Sequence, residues 1–241
     1  MRVYYAPRVA QRPLILLKDL KSMTHKALLL LLVTLGLALS GCKFGRGIAG
    51  SGNRKSEKRE VQTFNAIDSS GAYDINVDCQ KPVSLEIEAD DNLLPLIKTE
   101  VRGGVLIIKN DQEFHSTKSP VVRITVPDLT RITNGGAGDV KVTAVKNDQI
   151  SLESDGAASM VANGTTKSIK ITSNGAGSID AGNLQADKAQ VSVSGAASID
   201  CYATEQLDVN ISGVGNVTYG GNPKTVNKHI SGVGSINPKG Q

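Results

Sequence analysis

Gly136-Ala-Gly-Asp-Val140, Gly156-Ala-Ala-Ser-Met160, Gly175-Ala-Gly-Ser-Ile179, Gly195-Ala-Ala-Ser-Ile199, Gly213-Val-Gly-Asn-Val217 and Gly232-Val-Gly-Ser-Ile236 recur through the second half of a 241-residue chain. The intervals between lead glycines are 20, 19, 20, 18 and 19 residues. Spacing of this kind belongs to architectures in which each repeat is one structural unit stacked on the next. Before the glycine, apolar residues fall two, four and six positions back, as in Leu207, Val209 and Ile211, or Ala189, Val191 and Val193. After it, the fourth and sixth positions are again mostly apolar, as in Val140 and Val142, Ile179 and Ala181, or Ile199 and Cys201. A period of two marks a strand with one buried face. Each coil is therefore predicted to hold two inward-facing strands joined at a sharp corner. The lead glycines Gly136, Gly156, Gly175, Gly195, Gly213 and Gly232 are expected to supply backbone angles closed to other residues and to let stacked backbones approach closely.

A short polar residue closes every corner: Asp139, Ser159, Ser178, Ser198, Asn216 and Ser235. Oxygen-bearing side chains at a bend can accept hydrogen bonds from amides that the turn leaves unpaired, so this column is expected to cap turns rather than to bind a ligand. One coil cannot bury its apolar column alone, so the stack requires covered ends. At the C-terminus, Pro223, Pro238 and the departure of Lys228 from the inward pattern predict a less regular last coil, and an outward proline discourages addition of another chain.

Upstream, residues 61–127 alternate without keeping the repeat period. Strands are predicted in Ala72–Val77, Val83–Ala89, Val105–Lys109 and Val121–Val126, with a short turn or helical piece within Asp90–Ile97. Gly71-Ala-Tyr-Asp-Ile75-Asn-Val77 reads as an imperfect copy of the corner, with Tyr73 where later copies have Gly or Ala. This region is expected to form an irregular β-sheet layer that covers the N-terminal end of the coils, giving one domain over 61–241.

The first 42 residues read differently. Met23 is the expected true start, with 1–22 an upstream extension. A polar start with His25 and Lys26, an apolar run from Ala27 to Leu39 and the sequence Leu39-Ser-Gly-Cys42 form an export signal too short for an ordinary transmembrane helix. The small-small-Cys ending resembles the bacterial lipoprotein signal, in which Cys42 is acylated and becomes the first mature residue. The whole chain has 27 Lys+Arg and 23 Asp+Glu; residues 1–42 hold 6 and 1 of them, leaving 21 and 22, a net of −1. Residues 43–60 hold 6 basic and 2 acidic residues and read as a flexible basic tether before an acidic domain. With no Trp and no basic strip on the folded part, nucleic acid is excluded as a partner.

Little else in the sequence carries chemistry. Cys79 and Cys201 follow the inward parity and read as small buried hydrophobes; export permits a disulfide, but sequence separation supplies no geometry for one. His115 and His229 have no Ser or Cys partner in a nucleophile motif. Gly213-Val-Gly-Asn-Val-Thr218 lacks the third glycine and following helix of a dinucleotide loop. Asp180 and Asp200 occupy the same outward position on consecutive coils, which makes them a candidate calcium pair, although solvent-splayed carboxylates satisfy the same pattern. No cofactor is implied.

An Ala-Asp-Asp-Asn-Leu segment, the apolar strand around Leu106-Ile-Ile, Val126-Pro-Asp-Leu129, the Gly-Ala-Gly repeats and the ending Tyr219-Gly-Gly-Asn-Pro223 together resemble the putative auto-transporter adhesin head GIN domain family. The resemblance covers about residues 61–238. It implies an all-β, right-handed parallel β-helix-like solenoid, and a role in adhesion at the cell envelope with no catalytic residues to transfer. Two further readings stay open: a carbohydrate-active β-helix enzyme, and a periplasmic scaffold or sensor. The first would need paired carboxylates and aromatic platforms, and the chain has 3 Phe and 5 Tyr. The implied partners are a membrane, through lipidated Cys42, and an envelope protein or surface glycan. The absence of an aspartate after Cys42 favours the outer membrane and leaves the face open.

Overall fold

Each corner of the stack is shaped by a steric fact about glycine. In a computed structural model that describes residues 47–240, a Cβ built on Gly136 would lie 1.8 Å from the carbonyl oxygen of Gly71. The same contact recurs up the column: 1.9 Å for Gly156 on Gly136, 1.9 Å for Gly175 on Gly156, 1.9 Å for Gly195 on Gly175, 2.2 Å for Gly213 on Gly195 and 2.0 Å for Gly232 on Gly213. From Gly136 to Gly213 these carbonyls point along the stack because each accepts a hydrogen bond from the next coil, as Gly136 O does from Ala157 N at 3.0 Å and Gly156 O from Ala176 N at 2.9 Å. The expectation of unusual backbone angles is corrected here. None of the six lead glycines has a positive φ, so the requirement is for the missing side chain, not for the left-handed region.

The strands run, in chain order, β1 (Ile48–Ala49), β2 (Arg54–Lys58), β3 (Ala66–Ser70), β4 (Asp74–Cys79), β5 (Ser84–Asp90), β6 (Ile97–Arg102), β7 (Val105–Asn110), β8 (Phe114–His115), β9 (Val121–Val126), β10 (Arg131–Asn134), β11 (Ala137–Ser154), β12 (Ala157–Ser173), β13 (Ala176–Val193), β14 (Ala196–Tyr202), β15 (Gln206–Ile211), β16 (Val214–Gly220), β17 (Thr225–Ile230) and β18 (Val233–Pro238). A 3-10 turn, Leu94–Leu96, precedes β6. Two walls of stacked strands result. The wall before the corners runs β6, β7, β3, β10, the C-terminal halves of β11, β12 and β13, then β15 and β17. The wall after the corners runs β2, β5, β9, β4, the N-terminal halves of β11, β12 and β13, then β14, β16 and β18. Pairing is parallel except where β6, β5 and β2 join. These strands form the N-terminal end, with β6 and β2 the outermost members of the two walls.

In-register ladders of apolar side chains fill the space between the walls. Leu106, Ile67, Ile132, Leu152, Ile171, Val191 and Val209 succeed one another on the first wall. Ile87, Val122, Ile75, Val140, Met160, Ile179, Ile199, Val217 and Ile236 do so on the second. All are buried. Continuous burial of β-branched and aliphatic residues along a parallel stack is the main stabilising term, at roughly 25 cal/mol per Å² of apolar surface.

The stack order departs from chain order at one place. β3 and β4 make a coil that lies between the β7/β9 layer and the β10/β11 layer. The imperfect copy at Gly71 is therefore a full member of the corner column, directly below Gly136. Tyr73, at 1% exposure, packs its ring on Gly71, sets its backbone carbonyl under Gly138 and donates from its hydroxyl to Asn110 Oδ1.

Two further expectations change. The position two before the lead glycine is not apolar throughout: Ser69, Asn134, Ser154 and Ser173 form a buried polar ladder before Val193 and Ile211 take it over. Asn134 Oδ1 accepts from Gly136 N at 3.3 Å, which ties this ladder to the corner. The tether expected over 43–60 is ordered in its described part. β1 pairs with β8, and β2 pairs antiparallel with β5. β2 is polar and exposed on both faces, so it carries no alternation by which a sequence could announce it. Guanidinium groups hold it instead. Arg54 donates to the carbonyls of Glu88, Lys118 and Ser119, each at 3.2 Å. Arg59 donates to Ile97 O at 2.6 Å and Leu94 O at 2.9 Å. The extension 1–22, the start at Met23, the signal 23–42 and the lipidation of Cys42 lie outside the described residues.

Gly135 and Gly136 provide an internal control. A Cβ on Gly135 would find Ser69 O at 3.6 Å, an ordinary contact, whereas one on Gly136 would overlap a backbone carbonyl. Gly136→Ala is expected to lower unfolding stability in urea by about 3 kcal/mol, and Gly135→Ala to change it by less than about 1 kcal/mol.

Candidate functional site

The outward faces of the two walls hold the accessible chemistry. On the wall after the corners, the closing polar residues stand in register as Asp74, Asp139, Ser159, Ser178, Ser198, Asn216 and Ser235. Their bonds run mainly along the stack: Ser178 Oγ to Ser159 Oγ at 3.4 Å, and Ser235 Oγ to Asn216 Oδ1. Only Asp74 takes a corner amide from the neighbouring coil, that of Asp139 at 3.2 Å. The expected turn-capping role thus gives way to a side-chain ladder, because the turn amides already have backbone partners in the coil below.

Two residues further along each strand lies a second outward row: Arg123, Asn76, Lys141, Val161, Asp180, Asp200, Thr218 and Asn237. At its N-terminal end, Asn76, Asp78, Arg123, Thr125, Lys141 and Thr143 border a shallow open groove of about 320 Å³. Arg123 is engaged on one side by Glu88 at 2.8 Å and Glu86 at 3.6 Å. The Arg123 guanidinium, with Arg54 behind it, holds the Glu88 carboxyl below its ordinary range. Lys141 and Asn76 are exposed and line the groove. A wider depression of about 760 Å³ lies at the cap, where Lys58, Arg59, Glu60 and Glu86 surround Val61, Val83 and Leu85.

Asp180 and Asp200 are directly paired between β13 and β14, as expected. Asp180 Oδ1 accepts the Gly182 amide at 3.0 Å. A Cβ on Gly182 would lie 3.3 Å from Asp180 Oδ1 and 3.8 Å from Lys239 Nζ, so an ammonium group already stands beside the acidic pair. Among the described residues no three His, Cys, Asp or Glu side chains converge on a point where a metal ion could sit.

Cys79 and Cys201 are both unpaired and 2% exposed. Burial pushes the Cys79 thiol up to about 11 and the Cys201 thiol up to about 12, with nearby Asp128 and Asp78, and Asp200, adding in the same direction. Neither is a thiolate at neutral pH, and neither faces a histidine. His115 sits on the short exposed β8 and His229 on the outer face of β17.

The family model described as putative auto-transporter adhesin, head GIN domain, matches residues 63–223. The chain belongs to this family. A putative adhesin from Bacteroides fragilis, solved as a crystal structure, is 27% identical, covers 80% of this chain with 100% of its own length, and superposes with a TM-score of 0.65. A putative adhesin from Parabacteroides merdae is 18% identical over 81% of this chain and 100% of its own, with a TM-score of 0.51, and shares the fold. No curated protein matches the chain. The protein is thus a β-solenoid module of this family, similar in fold to these two structures.

At pH 8 the folded protein is expected to leave the Cys79 and Cys201 thiols unreacted with a disulfide reagent, and urea to expose these two thiols in addition to any already reactive. Raised folded-state values also set a sign for stability. Above pH 9, the ordinary thiol value, the unfolded chain loses these protons while the folded chain keeps them, so urea unfolding should show stability falling as pH rises from about 9 towards 11.

Proposed function

We propose that this chain is a lipid-anchored adhesin of the bacterial cell envelope, attached to the outer membrane through acylated Cys42 and binding an envelope protein or surface glycan with the outer wall that follows the corners. The observation that carries this reading is the form of that wall. Short polar side chains repeat in register across successive coils and end in the open groove bordered by Asn76, Arg123 and Lys141. A stiff, flat, hydrogen-bonding face suits an extended polar partner, whereas catalysis would require convergent acid, base or nucleophile groups in a recess. Membership of the adhesin family and likeness to the Bacteroides fragilis protein support the same reading.

Protease shaving of intact cells, with Cys42→Ala as the anchor control, tests location. Digestion of the anchored protein on intact cells, and its release from the membrane fraction by Cys42→Ala, are expected. Protection until the outer membrane is broken would remove direct adhesion and direct the search to periplasmic partners. For the wall itself, Lys141→Glu is expected to weaken retention on a glycan or envelope-protein array about tenfold without changing the β-sheet circular dichroism; unchanged retention would move the contact elsewhere on the domain.

A further inference from the structure

The two ends of the solenoid finish in strands of different character. At the N-terminal end, β5 and β6 run against the stack, and β2, antiparallel to β5, is the outermost strand of its wall as β6 is of the other. At the C-terminal end, β17 and β18 each pair on one side only, with β15 and β16. Their outer edges offer backbone N–H and C=O groups. Ile230 at 43% exposure and Val233 at 70% stand beside these edges, and Val214, in register with Val233, is at 58%. Adjacent unpaired edges with apolar residues between them are a template for another chain.

The inward ladder changes character at this point. Ile171, Val191 and Val209 are followed in register by Lys228. Its Nζ donates to Ile236 O at 3.0 Å and stands 5.1 Å from the centre of the Tyr219 ring. Lys228 belongs to one wall, whereas Ile236 and Tyr219 belong to the other, so a single side chain spans the open end. No carboxylate pairs with it among the described residues. On β18, the amide of Lys239 donates inward to Tyr219 O at 2.7 Å. Amides alternate in direction along a strand, so position 238 faces the free edge. Pro238 has no N–H to offer there.

The C-terminal end of a second copy is the complementary surface, since it offers the same exposed apolar residues, whereas the outermost strands of the opposite end, Arg54–Lys58 and Ile97–Arg102, carry charged side chains. We propose that Lys228, assisted by Pro238, guards this end against tail-to-tail pairing with a second copy, and keeps an otherwise competent strand edge single. Tail-to-tail contact is two-fold symmetric. It would enclose two Lys228 ammonium groups in one apolar interior without a counter-charge, which is strongly unfavourable. Replacing the lysine by an apolar residue of the ladder removes this obstacle and leaves the edge hydrogen bonds and Ile230 available.

The test measures protein mass per particle by light scattering on the full chain in detergent, at about 100 µM, a concentration suited to a contact smaller than a standard interface. The unmutated chain is expected to give one copy and Lys228→Val two. Lys228→Glu, which keeps a charge at the end, should stay at one. Adding Ile230→Lys to Lys228→Val should restore one copy, which separates edge pairing from misfolding. In the Lys228→Val background, Asn227→Cys on the edge strand should cross-link between copies and Asp148→Cys on the side should not. One copy for Lys228→Val with native circular dichroism would overturn the proposal, as would unmutated chain that is already paired through Asn227→Cys.

Discussion

The contact on which the rest of the structure depends is the seating of one glycine carbonyl in the space where the next coil's Cβ would otherwise be. It is repeated from Gly71 to Gly232. Because from Gly136 onward that carbonyl also accepts the amide that follows the next glycine, position along the stack and rotation about it are set together. The ladder residues on both walls then fall into register without further instruction. Flat outer walls are a consequence: once every coil meets its neighbour at the same corner, the residues two and four positions later align as rows.

A stack of this kind has strong interiors and exposed ends. The chain solves the first end by folding its early residues back on it, so that β5 and β6 run against the stack and Arg54 and Arg59 fasten β2 across the cap through backbone carbonyls. These guanidinium contacts reach partly buried carbonyls that water would otherwise have to satisfy, which gives them more weight than the exposed ion pairs elsewhere on the surface. The second end is left as strand edges with a lysine across them. Its stem continues the apolar ladder while its head stays at the rim.

The same rigidity bears on function. Among the described residues Cys79 and Cys201 are buried, whereas His115, His229, Asp180 and Asp200 are dispersed on the open walls. What the fold offers instead is area, regular spacing and a shallow groove near the cap. Those are properties of a surface that recognises an extended partner by many modest contacts.

By itself, the sequence determined the coil, its two inward strands, the glycine corners, the pairing of Asp180 with Asp200 and the irregular layer beneath. Each of these is written as a local period, and a period survives without knowledge of distant contacts. Tertiary structure alone decided three things. The coil built from β3 and β4 lies above the β7/β9 layer although it comes first in the chain, because stacking partners are chosen across residues far apart in sequence. Residues 54–58, polar on both faces, became a strand because a free edge of β5 and two arginines were there to receive them. And Lys228, an irregularity in the text of the last repeat, became a bolt across the open end because only the folded stack brings Ile236 O and Tyr219 within its reach.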